Sequence, residues 1–208
     1  MQGAVAASFR MPPRMSPHSK GASLHACPLQ FRSATPADGA ALWRLIQATG
    51  TLELNSAYCY LLMASDFGRT CLIAEEGGEV VGAVIGYHPP EQADTAFVWQ
   101  VGLLPRLRGQ GLGVTLLQQW IALPANQSCR WVTATVDDGN APSQALFKRF
   151  ANRHSVDCQV RAHFTADLFP HDHPAEPMYR IGPLARTQTA ARSRHSEHNE
   201  TTRSASSI

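Results

Sequence analysis

Gln100-Val-Gly-Leu-Leu-Pro-Arg-Leu-Arg-Gly-Gln-Gly-Leu-Gly113 reads as the end of an apolar strand, a proline-broken turn, and Arg108-x-x-Gly111-x-Gly113 opening an amphipathic helix. A glycine-rich turn at a helix start leaves several backbone N–H groups aimed at one spot, with the positive helix end behind them. Such a place holds a pyrophosphate. Spacing excludes two nucleotide loops. A P-loop ends in Gly-Lys-Ser/Thr, whereas Gly113 is followed by Val114-Thr115. A dinucleotide fingerprint needs Gly-x-Gly-x-x-Gly in an early βαβ unit, and Gly109-x-Gly111-x-Gly113 has the wrong final spacing. Isolated glycines would mark only a tight turn. The strand, Pro105, two arginines and a helix, in that order, favour a ligand loop.

Outward from the loop, Thr95 to Leu103 is a near-continuous apolar strand, expected to be buried on both faces. Upstream, Thr70–Glu75 and Val80–Tyr87 are strands joined by Glu76-Gly77-Gly78-Glu79, a hairpin signal. Phe31–Ala34 is a short strand. Thr35-Pro36-Ala37-Asp38 then starts a helix carrying Leu42, Leu45, Ile46 and Thr49, closed by Gly50. Leu54 to Phe67 is less regular and partly helical. Downstream of the loop, a helix to about Leu123 precedes a strand at Arg130–Val136 and a turn at Asp137-Asp138-Gly139. A helix from Asn140 or Pro142 to Asn152 follows, then two short strands around His163-Phe164 and Met178–Ile181. The order β-α-α-β-β-β-α-β-α-β-β predicts an α/β fold, a central mixed, twisted sheet with helices on both faces.

The ends differ from this middle. Residues 1–29 are rich in Met, Pro, Ser and Ala without period, and 185–208 are mostly Arg, Ser, Thr, His and Glu; both are expected to be disordered tails around one domain, 30–184. Met11 or Met15 reads as an alternative start. The tails hold seven cations against two carboxylates, a net +5, which leaves 30–184 with −3 of the chain's +2. The basic balance therefore belongs to the tails and marks no nucleic-acid-binding face. Cys27, Cys59, Cys71, Cys129 and Cys158 are odd in number and scattered, as in a cytoplasmic protein with reduced thiols. No apolar run reaches the length of a membrane span.

The loop Arg108-x-x-Gly111-x-Gly113 after a strand resembles the acetyl-CoA loop of the GNAT acyltransferase superfamily. Asn140-Ala-Pro-Ser143-x-x-Leu146-Phe147 is similar to the superfamily's Asn-x-x-Ser/Ala-x-x-Leu-Tyr/Phe helix. Four further stretches narrow the match. Thr49-Gly-Thr-Leu-Glu-Leu-Asn-Ser-Ala-Tyr-Cys-Tyr-Leu-Leu62, Asp66-Phe67-x-x-Thr70-Cys71, Phe97-Val-Trp-Gln-Val-Gly102 and Arg180-Ile-Gly-Pro183 together resemble the diaminobutyrate acetyltransferases of ectoine biosynthesis. The resemblance spans roughly residues 30–184. It implies transfer of acetyl from acetyl-CoA to the γ-amine of L-2,4-diaminobutyrate by a cytoplasmic homodimer, without a metal.

It also implies site residues. Val101 or a neighbour would offer a backbone N–H to the thioester oxyanion, and Gly102, Arg106, Arg108, Gly109, Gly111, Leu112, Gly113, Asn140, Ser143 and Phe147 would line the cofactor site. Glu53, Asn55, Ser56 and Tyr58 form a polar set before an apolar run, and Asn55 or Ser56 could equally cap a helix. The resemblance gives Glu53, Asn55, Tyr58 and Trp99 to the substrate; the family usually has Asp where Glu53 stands, so the charge is kept one methylene further out. His171-Asp172-His173-Pro174-Ala175-Glu176 has a metal-like pattern on a short loop. The resemblance instead sends His173 and Glu176 to the substrate pocket. The general base stays open between Glu53, His173, Glu176 and water. Many GNAT enzymes have a proton-donating Tyr where Phe147 stands; here CoA must leave as thiolate or take its proton from elsewhere.

Overall fold

The computed structural model describes residues 27–185. The expectations for 1–29 and 185–208 fall, apart from 27–29 and 185, outside the described residues. Strands and helices follow the expected order: β1 (Gln30–Ser33), α1 (Gly39–Thr49), α2 (Ala57–Asp66), β2 (Leu72–Glu76), β3 (Glu79–Tyr87), β4 (Thr95–Leu103), α3 (Leu112–Ile121), β5 (Trp131–Thr135), α4 (Ala141–His154), β6 (Asp157–Phe164) and β7 (Glu176–Gly182). They form one seven-stranded sheet in the order β1-β2-β3-β4-β5-β7-β6. All neighbours are antiparallel except β4 and β5.

Alternation along the strands divides the core in two. Ile73, Ala83 and Ile85 pack beneath α1 and α2 with Leu42, Ile46 and Tyr60. Leu72, Ala74, Val84 and Val98 face α3 and α4 with Leu117, Trp120, Phe147 and Phe150. Helices thus cover both faces, and each large buried side chain contributes roughly 1.5–3 kcal/mol. The β2–β3 hairpin turns through Gly77 and Gly78, both at positive φ (59° and 86°), which matches the right-handed strand twist.

Two irregularities in β4 shape everything that follows. The strand pairs with β5 only at Thr95, Ala96 and Phe97; beyond them the two part, and among the described residues the rest of that edge of β4 has no partner strand. A bulge also falls within β4, because Ile85 faces Gln100 while Gly86 faces Val98, so Trp99 is an extra residue. Side chains are re-aimed as a result. Val98 and Val101 pack on the α3/α4 side. Trp99 and Gln100, although consecutive, both face α1 and α2, where Trp99 stacks on Tyr60 and Gln100 bonds to it.

An ion-pair network ties β1 to the start of α1. Arg32 grips both carboxylate oxygens of Asp38 (2.8 and 2.7 Å) and also reaches Glu75 on β2. Thr35 adds its N–H and hydroxyl to the Asp38 carboxylate. These partners, Arg32 first, hold Asp38 down from 3.8 to about 2. A depressed carboxylate stabilises the fold above its unfolded pKa, and that contribution disappears as pH falls through the folded value. Because Arg32 is 39 % exposed, screening limits it to about 1–2 kcal/mol. Asp38→Asn should therefore lower Tm at pH 7 by about 3–6 °C. Thermal melts at pH 7 and pH 3 check this: the gap to wild type should narrow at the lower pH, and a constant gap would refute the linkage.

Candidate active site

The parting of β4 and β5 opens a cleft of about 600 Å³, walled by the second half of β4, the loop before α3, the start of α3 and one face of α4. Gly109 and Gly111 sit at φ 75° and 78°, a region that L side chains avoid, and among the described residues nothing lies within 4 Å of where a Cβ would project. The backbone of the loop thus faces open space. Gly111 is the residue before α3, so the first N–H groups of Leu112 and Gly113 point into the cleft mouth with the helix dipole behind them. The arrangement suits a pyrophosphate.

Val101, Gly102, Arg108, Gly109, Gly111, Leu112, Gly113, Asn140 and Ser143 all line this cleft. Asn140 caps α4 by accepting the Ser143 N–H at 3.1 Å, which leaves the Ser143 side chain on the cleft face. Arg108 donates to the Thr49 carbonyl at 2.6 Å and the Leu103 carbonyl at 3.3 Å. A cation there complements the C-terminus of α1 and pins the loop to it. Two residues expected in the cofactor site lie elsewhere. Arg106 points to the β2–β3 hairpin, paired with Glu76 and Glu79. Phe147 is 2 % exposed in the core against Tyr179, because α4 turns Leu146 and Arg149 toward the cleft instead. Burial, with lesser contributions from Cys158 and Asp138, pushes the Tyr179 phenol up. Tyr179 does not line the cleft.

The remaining candidates lie on the α1/α2 side. Gln100 donates to the Glu53 carbonyl at 2.8 Å, and the Asn55 N–H donates to the Tyr60 hydroxyl, itself 3.2 Å from the Gln100 side-chain oxygen. This network fixes the 53–55 segment over Trp99, whose ring lies 5.9 Å from that of Tyr60. Tyr60 and Gln100 are buried, so losing their bonds would leave buried polar groups unsatisfied. The Glu53 side chain remains exposed. Ser56 is the cap of α2, accepting the Cys59 N–H at 3.2 Å, which settles that alternative. Tyr58, on the first turn of α2, is 67 % exposed and outside the network.

His173 and Glu176 sit on the loop leading into β7 and at its first residue, with His173 Nε2 3.9 Å from Glu176. The His173 ring stacks on Phe169, and its Nδ1 lies 2.7 Å from the Pro174 carbonyl. A carbonyl only accepts, so Nδ1 carries a proton there and, in the neutral ring, the lone pair is on Nε2. Alternation along β7 puts Glu176 on the same face as Met178 and Arg180, whose partners Thr135 and Thr133 lead across to Phe97 on β4. Phe97 contacts Tyr87 on the face where Trp99 packs, so Glu176 shares that face. Among the described residues, no group of three or more His, Cys, Asp or Glu is placed to hold a metal.

Sequence reasoning missed Gln100, Tyr60 and Arg149. The signals were present. Gln100 is the one amide in an otherwise apolar strand, and Ser143, Leu146 and Arg149 recur at three-residue spacing on one helix face.

Residues 40–151 match the model of the "Acetyltransferase (GNAT) family". An L-2,4-diaminobutyric acid acetyltransferase from Shouchella clausii is 44 % identical over 157 residues, covering 75 % of this chain and 88 % of its own. Its counterpart from Halalkalibacterium halodurans is 44 % identical over 151 residues, 72 % and 79 % of the two chains. The solved diaminobutyrate acetyltransferase of Paenibacillus lautus, in complex with its substrate L-2,4-diaminobutyric acid and coenzyme A, is 35 % identical, with a TM-score of 0.72 over 76 % of this chain and 96 % of that one. The chain belongs to the GNAT acetyltransferase family and, within it, to the L-2,4-diaminobutyric acid acetyltransferases.

Proposed function

We propose that the protein transfers acetyl from acetyl-CoA to the γ-amine of L-2,4-diaminobutyrate, giving the N(γ)-acetyl product used in ectoine synthesis for osmoprotection. The observation that carries this is the bulge in β4. Val101 borders the cleft on one side of the strand, while Trp99 and Gln100 face the polar segment 53–55 on the other. Donor and acceptor sites thereby draw on three consecutive residues, joined where β4 and β5 separate.

Acetyl-CoA lies with its pyrophosphate on the N–H groups around Gly111 to Gly113 and its pantetheine arm along β4 beside Asn140 and Ser143. Val101 N–H, or a neighbour on the unpaired edge, holds the oxyanion as the amine attacks the thioester carbonyl. The C–N bond forms, the C–S bond breaks, and CoA departs as thiolate, since Phe147 is buried and has no proton to give. Trp99 walls the acceptor, Glu53 takes its α-ammonium, and Asn55 and Tyr58 orient the rest. His173 accepts the amine proton at Nε2, with Glu176 beside it. Arg106, bound to two carboxylates, is left out of the cofactor set.

The same reading makes the enzyme a cytoplasmic homodimer. Val160 and Phe164 on the edge strand β6, and Leu168 beyond it, are 48 %, 40 % and 64 % exposed, apolar surface that supports an association. Among the described residues, no helix is long and apolar enough to cross a membrane.

The test is product identification. With acetyl-CoA and diaminobutyrate, mass spectrometry and NMR should find one acetyl group, on the γ-nitrogen. A rival amine with a higher kcat/KM would overturn the substrate, and cofactor binding without CoA release from any amine would overturn the catalysis.

A further inference from the structure

The anionic end of CoA carries two kinds of phosphate, the pyrophosphate and a 3′-phosphomonoester on the adenosine. The loop amides before α3 account for the first. We propose that Arg149 on α4 receives the second, the adenosine 3′-phosphate, and so makes the enzyme discriminate CoA from its 3′-dephospho form. The inference rests on the reading that the cleft holds acetyl-CoA.

Among the described residues, two cations line the cleft, Arg108 and Arg149. Arg108 is spent on the carbonyls of Thr49 and Leu103. Arg106, the other arginine of the loop, is held away by Glu76 and Glu79. Arg149 is exposed, and among the described residues its guanidinium has neither a carboxylate nor a carbonyl partner. Its placement follows from helix contact. A Cβ on Gly113 would come within 3.1 Å of Leu146, so the start of α3 lies against α4 at Leu146. Arg149 is three residues further on the same face, about 4.5 Å along the axis. Arg149 therefore lines the cleft about one turn of α4 beyond its contact with the start of α3, and its side chain is exposed. An exposed phosphomonoester meets there a planar group with paired donors, a fit that an ammonium would not reproduce.

The adjacent charge on the same helix supplies a control. Lys148 is exposed and does not line the cleft. The experiment compares acetyl-CoA with acetyl-3′-dephospho-CoA as donors for the wild type, Arg149→Gln and Lys148→Gln, with calorimetric titration of CoA and 3′-dephospho-CoA alongside. Wild type should show about a fivefold higher KM for the dephospho donor, the size expected of one exposed ion pair. Arg149→Gln should raise the acetyl-CoA KM by that factor and bring the ratio of the two KM values to about one. Lys148→Gln should keep the wild-type ratio. The proposal is overturned if Arg149→Gln raises both KM values alike, if wild type does not distinguish the donors, or if Lys148→Gln also abolishes the difference. Failure of wild type to bind either nucleotide would overturn the reading of the cleft itself, which the calorimetry detects without any amine.

Discussion

Gly111→Val should raise the KM for acetyl-CoA by about 30- to 100-fold and leave the diaminobutyrate KM within about twofold. Gly111 sits at φ 78°, immediately before α3. A β-branched residue in that region costs of order 1–2 kcal/mol in backbone strain. The side chain would also project into the open space that the pyrophosphate is to fill, since nothing stands within 4 Å of a Cβ there. Both effects act on the donor, and neither touches the 53–55 segment on the opposite face of the sheet. Gly111→Ala, strained but smaller, should fall between. Steady-state kinetics with each substrate varied in turn checks the separation. Equal rises in both KM values would mean general unfolding and would count against a phosphate-binding loop.

The loop was legible because its constraints are local. A left-handed turn demands glycine, a helix start demands a cap, and both appear in the order of residues. The same holds for the Gly77-Gly78 hairpin turn, for Gly50, which ends α1 at φ 64°, and for Asn140, which caps α4. Strand β6 was legible only at its end, around His163-Phe164, although it runs from Asp157. It is a sheet edge with nearly every side chain exposed, so no alternation marks it.

The site divides along a similar line. Positions set by backbone geometry are legible in the sequence; those set by tertiary direction are not. Nothing in Trp99-Gln100 announces that a bulge turns both side chains to one face, and that bulge gives Gln100 its hold on Glu53. The same limit applies to Arg106 and Arg149. Nearness to the glycines in sequence favoured Arg106, whereas the sheet delivers it to Glu76 and Glu79 on the neighbouring hairpin. Helix packing at Gly113 and Leu146 brings in Arg149 from some forty residues away in the chain.

Glu53→Gln should lower kcat/KM for diaminobutyrate by about 10- to 100-fold while acetyl-CoA affinity stays near wild type. The change keeps the shape and removes the charge, so the α-ammonium loses a charge-assisted partner worth about 1.5–3 kcal/mol. Folding should be little affected. The bonds that fix this segment run from Gln100 and Tyr60 to the backbone of Glu53 and Asn55, while the Glu53 side chain is exposed. Glu53→Asp separates charge from reach. It keeps a carboxylate, one methylene shorter, and should retain most of the activity. Melting curves with kinetics on both substrates decide the matter. If Glu53→Gln melts like wild type and uses diaminobutyrate unchanged, the ammonium is bound elsewhere, and Glu176 on the shared sheet face becomes the residue to replace next.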